Sequence, residues 1–168
     1  MTDADVAAGQ PFVTRAGEGT ALWHLDNLMV FKAVAAATGN RLAVWEDLLP
    51  RNPSPPLHVH HHDDEAWYVL DDSITFRVDE TEMTVEGGDF VWAPRGLPHT
   101  FRVESQTARL LGLGIPAGFE EFFLSTGRPA PELALPPAAN EPPELRRLLP
   151  AAHAAGCDII GPPMDGAP

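Results

Sequence analysis

From residue 56 to 116 apolar and polar positions alternate in short runs with turn residues between them. The alternation predicts strands at 56–61, 65–71, 73–79, 82–86, 90–93, 98–104 and 108–115, rich in Val, Ile, Phe, Trp and Thr. No helical periodicity interrupts them, so the expected class is all-β, a sandwich or barrel rather than βαβ units. Upstream, residues 28–37 suit a strand or short helix and Arg41 to Leu48 alternates, with Thr38-Gly39-Asn40 as a turn between them; the pair reads as a hairpin. Residues 11–31 read as a strand and a turn, with Trp23 and Leu25 alternating inward, and residues 1–10 as a loose arm. Pro50 to Pro56 is too rich in proline for anything but a loop.

After residue 116 the pattern changes. Phe119–Leu124 reads as one short helix, and 127–143, dense in Pro and Ala, as an irregular arm. Glu144 to Ala155 places Leu145, Leu148, Leu149 and Ala152 at helical spacing, with Pro150 expected to kink or split the helix and Gly156 to cap it. Asp158-Ile159-Ile160 is expected to dock as a short strand and 161–168 to be disordered.

Composition narrows the function classes. A length of 168 residues suggests one domain with a core that needs no disulfides. The net charge of −13 opposes binding to phosphate backbones and anionic lipids, so neither nucleic acid nor membrane is expected as a partner. The single cysteine, Cys157, excludes an intrachain disulfide and a thiolate-rich metal site. The acidic start lacks the features of a signal peptide, and no apolar run approaches the roughly 18 residues of a membrane span. A cytoplasmic location is expected.

The chemistry concentrates in Pro55-Pro56-Leu57-His58-Val59-His60-His61-His62-Asp63-Asp64-Glu65. On a strand, His58 and His60 share a face, joined by His62 if the strand persists, while His61 points the other way. Glu65 follows a short polar bend. A second stretch, Gly88-Asp89-Phe90-Val91-Trp92-Ala93-Pro94-Arg95-Gly96-Leu97-Pro98-His99, adds a further imidazole in a Gly and Pro framework. Three imidazoles and a carboxylate suit one divalent transition ion, Fe, Mn, Ni, Co, Cu or Zn, without choosing among them.

These stretches resemble the two motifs of the cupin superfamily, as His58-x-His60-x4-Glu65 and Gly88-x5-Pro94-x-Gly96-x2-His99. The resemblance is strongest over residues 40–115 and is closest to single-domain cupins of the quercetin 2,3-dioxygenase-like type. Asp64–Leu70, Gly118–Phe123 and Gly156–Pro163 are similar too. Two positions depart from the pattern. Asp71-Asp72-Ser73 stands where the family carries a glycine turn, and Val103 where it commonly has Asn. The resemblance implies an antiparallel, jelly-roll type β-barrel over about 28–116, flanked by an N-terminal arm (1–27) and a helical, Pro-rich tail (117–168). It implies His58, His60, Glu65 and His99 as metal ligands, with Glu65 also a general base, and a homodimer.

By strand parity Trp67, Val69, Ile74, Phe76, Leu97 and Phe101, with Trp92 near the second motif, are expected inside, as core or as an apolar pocket for a flat small molecule. His24 and His153 read as ordinary surface or core histidines and Cys157 as structural. Gly112-Leu113-Gly114 has the wrong spacing for a dinucleotide fingerprint. Three functions follow. The first is a metal-dependent dioxygenase acting with O2 on a flavonol-like or other enolisable molecule. The second is a non-redox isomerase, lyase or cyclase. The third is a small-molecule-binding module without turnover.

Overall fold

The computed structural model describes residues 9–51, 54–138 and 144–164. The chain runs β1 (Thr20–His24), β2 (Asn27–Ala33), α1 (Ala35–Thr38), β3 (Ala43–Pro50), β4 (Pro56–His60), β5 (Asp64–Asp71), β6 (Ser73–Val78), β7 (Thr81–Glu86), β8 (Phe90–Ala93), β9 (His99–Val103), β10 (Thr107–Ile115), α2 (Glu120–Thr126), β11 (Arg128–Pro129), α3 (Leu145–Ala154) and β12 (Cys157–Pro163). The seven strands predicted between 56 and 116 all form, each end within one residue of its expected place. They form because Val, Ile, Phe, Trp and Thr alternate there with polar residues. The glycine-less turn also forms, with Asp72 taking φ 69°, a conformation that Asp tolerates better than most residues.

The strands pair antiparallel in two sheets. One has seven strands in the order β11-β1-β2-β3-β10-β5-β8, the other five in the order β12-β4-β9-β6-β7. The jelly roll is therefore two facing sheets, not the closed barrel expected. The chain passes between the sheets by bends such as His61-His62-Asp63, and the hydrogen-bond ladder stops at the sheet edges. Convergence of side chains needs only that the sheets face each other, and a shared core shows that they do. Leu49, Trp67, Val69 and Leu110 of the first sheet pack with Ile74, Phe76, Val78 and Val103 of the second. A second cluster, including Phe31 and Trp45, lies under Phe123 of α2.

Across the first sheet Trp45, Gly112 and Trp67 lie in one inward row. The Trp45 indole occupies the space that a Cβ at Gly112 would need. Glycine here is a packing requirement and no part of a nucleotide loop.

Several flanking expectations change. Leu25 does not point inward beside Trp23; it is 44% exposed in the β1–β2 turn with φ 53°. Helix α3 runs through Pro150 as one helix. Proline removes a single hydrogen bond there, and the helix is held by packing on α2 and β12. Gly161 to Pro163, expected to be disordered, belong to β12, which pairs with β4. The described part of the Pro-rich arm lies along edge strand β1: Leu22 and Trp23 pair with Pro129 and Arg128, and Trp23 Nε1 donates to the Ala134 carbonyl at 2.7 Å. The expectations for residues 1–8, 139–143 and 165–168 lie outside the described residues.

Candidate metal centre

His58 and His60 project from β4, His99 from β9 and Glu65 from the start of β5. Pairing of β4 with β9 sets His58 opposite His99, so the three imidazoles share one sheet. Glu65 reaches them from the facing sheet, because the bend after His60 carries the chain across. One ligand atom from each of the four lies within 4.8 Å of the others. His60, His99 and Glu65 are buried and His58 is partly so.

The outer nitrogens are already committed. His58 Nδ1 donates to the Pro56 carbonyl at 2.8 Å, His99 Nδ1 to the Leu97 carbonyl at 3.0 Å, and His60 Nδ1 to Asp63 Oδ2 at 2.9 Å. With each Nδ1 held by an outer acceptor, each Nε2 faces the centre, where a bound cation would take the place of any proton shared with Glu65. Glu65 Oε2 lies 3.2 Å from His99 Nε2 and 3.4 Å from His60 Nε2. His60 Nε2 is fully buried and has no hydrogen-bond partner. A buried polar atom without a partner is costly, and a cation bound there would satisfy it. The donor set therefore fits a divalent transition ion.

The electrostatics agree. Burial alone would raise the Glu65 carboxyl, but the His99 hydrogen bond and the three imidazoles outweigh it and hold Glu65 below the usual carboxylate range. Burial, then the neighbouring His99, lowers His58 to about 3, leaving it neutral. His60 is pushed the other way, to about 10: burial opposes its charge, but the Asp63 hydrogen bond, the interaction with Cys157, its cross-strand partner, and then the Glu65 charge prevail. Carboxylates that favour a proton at His60 also favour a metal cation.

Other residues of the histidine run turn away. His61 Nε2 pairs with Asp158 at 2.9 Å, and His62 lies exposed against Gly156, where a Cβ would collide with its ring. His153 also binds Asp158, and His24 is buried between Phe122 and Phe123. Cys157 is buried beside Phe119 and Ala152.

Of the expected pocket residues, Trp67 comes nearest the centre, its ring 5.7 Å from that of His99, with Phe101 packed behind it at 6.3 Å. Val69, Ile74 and Phe76 are fully buried in the shared core. Trp92 and Leu97 are not inside. Trp92 is 43% exposed because β8 buries Val91 and Ala93, and Leu97 is 37% exposed on the turn before His99. Two neighbours escaped the sequence reading. Asp63 is 3% exposed and orients His60, and the Phe119 ring stands edge-on to the His60 ring at 4.1 Å. Asp63 follows His60 by three residues, which was visible. Its burial was not, since it depends on the bend folding inward.

Two facing antiparallel sheets with three histidines and a glutamate between them define a jelly-roll protein with a candidate metal centre. Comparison with known proteins gives the family. A cupin domain is matched over residues 44–113. Quercetin 2,3-dioxygenase of Bacillus subtilis (strain 168) is 29% identical over 154 residues, 90% of this chain and 45% of that protein. The chain thus spans less than half the length of this relative. A predicted oxalate decarboxylase from Thermotoga maritima superposes with a TM-score of 0.58 at 20% identity, over 62% of this chain and 99% of that one. KdgF from Halomonas sp. superposes with a TM-score of 0.55 at 15% identity, over 64% of this chain and 94% of that one. The chain carries a cupin domain on the cupin fold, with a His/His/Glu/His group that could hold a metal ion, and is similar to a quercetin 2,3-dioxygenase. Among the described residues no helix is long and apolar enough to cross a membrane.

Proposed function

We propose that the protein is a metal-dependent dioxygenase acting on a flavonol-like or other enolisable small molecule. The observation that carries this reading is the convergence of one ligand atom each from His58, His60, His99 and the buried Glu65 within 4.8 Å of one another. Similarity to a quercetin 2,3-dioxygenase over 90% of the chain supports the reaction type. His58, His60, Glu65 and His99 would hold one ion (Fe, Mn, Ni, Co, Cu or Zn). A bound ion would supply Lewis acidity toward a substrate hydroxyl and, if redox-active, chemistry with O2. Glu65, ionised and 3.2 Å from His99 Nε2, is the proton acceptor in this reading once it detaches from the ion. Trp67, backed by Phe101, offers a flat apolar wall beside His99.

The test is elemental analysis of wild type and His99→Ala, followed by aerobic and anaerobic incubation with quercetin. About one equivalent of transition metal in wild type, absent from His99→Ala, with flavonol loss matched by O2 uptake, is the expected result. Turnover that persists without O2 would replace the dioxygenase by a non-redox isomerase, lyase or cyclase, and binding without product by a sensing module. A homodimer is part of the same reading. It is supported by Tyr68, Leu70, Phe90 and Trp92, which stand exposed on the outer face of β5 and β8 at a sheet edge.

A further inference from the structure

The three imidazoles of the group are not held alike. His58 and His99 each donate Nδ1 to a backbone carbonyl two residues earlier in the chain, those of Pro56 and Leu97. His60 does not use its own backbone. Its Nδ1 bonds the Asp63 side chain in the bend, and its Nε2 has no hydrogen-bond partner. The bond to Asp63 fixes where Nδ1 sits but lets the ring plane swing about it, and rotation about the last bond of a histidine side chain is intrinsically broad. His60 therefore needs a second hold, and its own strand does not supply one.

Phe119 is placed to supply it. Its ring meets the His60 ring in a T-shaped contact at 4.1 Å, with the planes 76° apart. Turning the imidazole would drive it into the phenyl ring. Phe119 is itself packed in place: Phe122 stacks on it at 5.4 Å, Phe123 stands edge-on at 5.2 Å, and Ala152 of α3 and Cys157 of β12 complete the cluster. Cys157 is also the cross-strand partner of His60. The next residue, Glu120, is a carboxylate that is 1% exposed, and both its oxygens take backbone donors. Oε1 accepts from the Ala35 N–H at 2.7 Å and Oε2 from the Gly118 N–H at 2.6 Å. Charge-assisted bonds of this kind are stronger than neutral ones. They tie the start of α2 to α1, in the connection between β2 and β3, so Phe119 cannot draw back from His60 without breaking them. Both residues lie beyond 44–113, where the cupin domain is matched.

We infer that Phe119 is a positioning residue of the metal centre: its ring fixes the plane of the His60 imidazole, and Glu120 holds Phe119 there by clasping the start of α2. The inference rests on the four-residue group holding an ion, and on no particular reaction.

Two substitutions and a control test it. Phe119→Leu keeps most of the apolar bulk and removes the ring contact. Glu120→Gln leaves one acceptor where two are used. Phe122→Leu is the control, since Phe122 packs in the same cluster but its ring stands against His24 at 5.2 Å. Metal-stripped proteins are titrated with Co²⁺ for affinity and for the visible absorption of the bound ion, and their unfolding in urea is followed without metal. Phe119→Leu is expected to bind Co²⁺ about 2–10-fold more weakly, the contribution of one aromatic contact, with an altered visible spectrum. Glu120→Gln is expected to weaken binding too, and the double variant to bind no more weakly than Phe119→Leu alone, because the carboxylate acts through the ring. Phe122→Leu is expected to unfold more easily yet keep wild-type affinity and spectrum. Wild-type affinity and spectrum in Phe119→Leu, or an equal loss in Phe122→Leu, overturns the assignment, and additive losses in the double variant overturn the role of Glu120. Should wild type take up no Co²⁺, the metal reading falls by itself, and the His60 ring-proton signals of the metal-free protein decide for or against Phe119: broadening or doubling in Phe119→Leu supports it, and a single sharp set overturns it.

Discussion

Asp63 offers the sharpest test of the metal centre, because it touches the centre only through His60. Its carboxylate accepts the His60 Nδ1 proton at 2.9 Å, and the two side chains are 1% and 4% exposed. Replacing it with alanine removes the contact that fixes which nitrogen faces the ion and how the ring is turned. Losing such an outer partner typically weakens metal binding 10–100-fold, about 1.4–2.7 kcal/mol. The freed, buried Nδ1–H adds about 1–3 kcal/mol of instability to the folded state. The assay is a competition titration of metal-stripped protein against a chromophoric chelator with Co²⁺ and Zn²⁺, beside urea unfolding of the same samples. Asp64→Ala is the control. Asp64 is the next carboxylate along the chain, but it turns away from the group, is partly buried and binds Arg95 at 2.7 Å. Asp63→Ala is expected to lose affinity within the stated range for both metals, Asp64→Ala to stay within about twofold of wild type, and Asp63→Asn, whose amide oxygen still accepts, to recover part of the loss. Equal affinity in Asp63→Ala and wild type would refute the reasoning that His60 binds through Nε2 with Nδ1 held by Asp63.

Two further outcomes are expected away from the centre. Burial, followed by the charge of Arg147, lowers His24 from 6.5 to about 4. The unfolded chain therefore gains a proton that the folded one refuses, and stability that is complete above pH 6.5 is lost as pH falls toward 4, by about 3 kcal/mol. His24→Gln should lose that much less between pH 7 and pH 4 in urea unfolding, and parallel losses in the two proteins would contradict it. For the proposed homodimer, Phe90→Ser removes the most exposed aromatic of the β5–β8 face, 58% exposed. Light scattering should find wild type at twice the chain mass and the variant shifted toward one; a monomeric wild type would end that reading.

The amino-acid sequence by itself determined the strands and pointed to the candidate ligands. Period-two alternation places the seven central strands within a residue of where they form, since burying one face of a strand depends on local order along the chain. The same parity put His58 and His60 on one face, and the motif resemblance supplied Glu65 and His99. Other features were decided only by tertiary structure. Whether the sheets close depends on hydrogen bonds between residues far apart in sequence, and here the ladders end at two open pairs of edges. Parity also says that alternate residues share a face without saying which face is inside, so Trp92 was expected near the pocket and stands outside. Asp63 and Asp47 read as ordinary solvated acids, because a polar residue carries no local mark of burial. One became the support of His60 where the chain crosses between sheets, and the other a half-satisfied carboxyl in the interior, once long-range packing had closed around them.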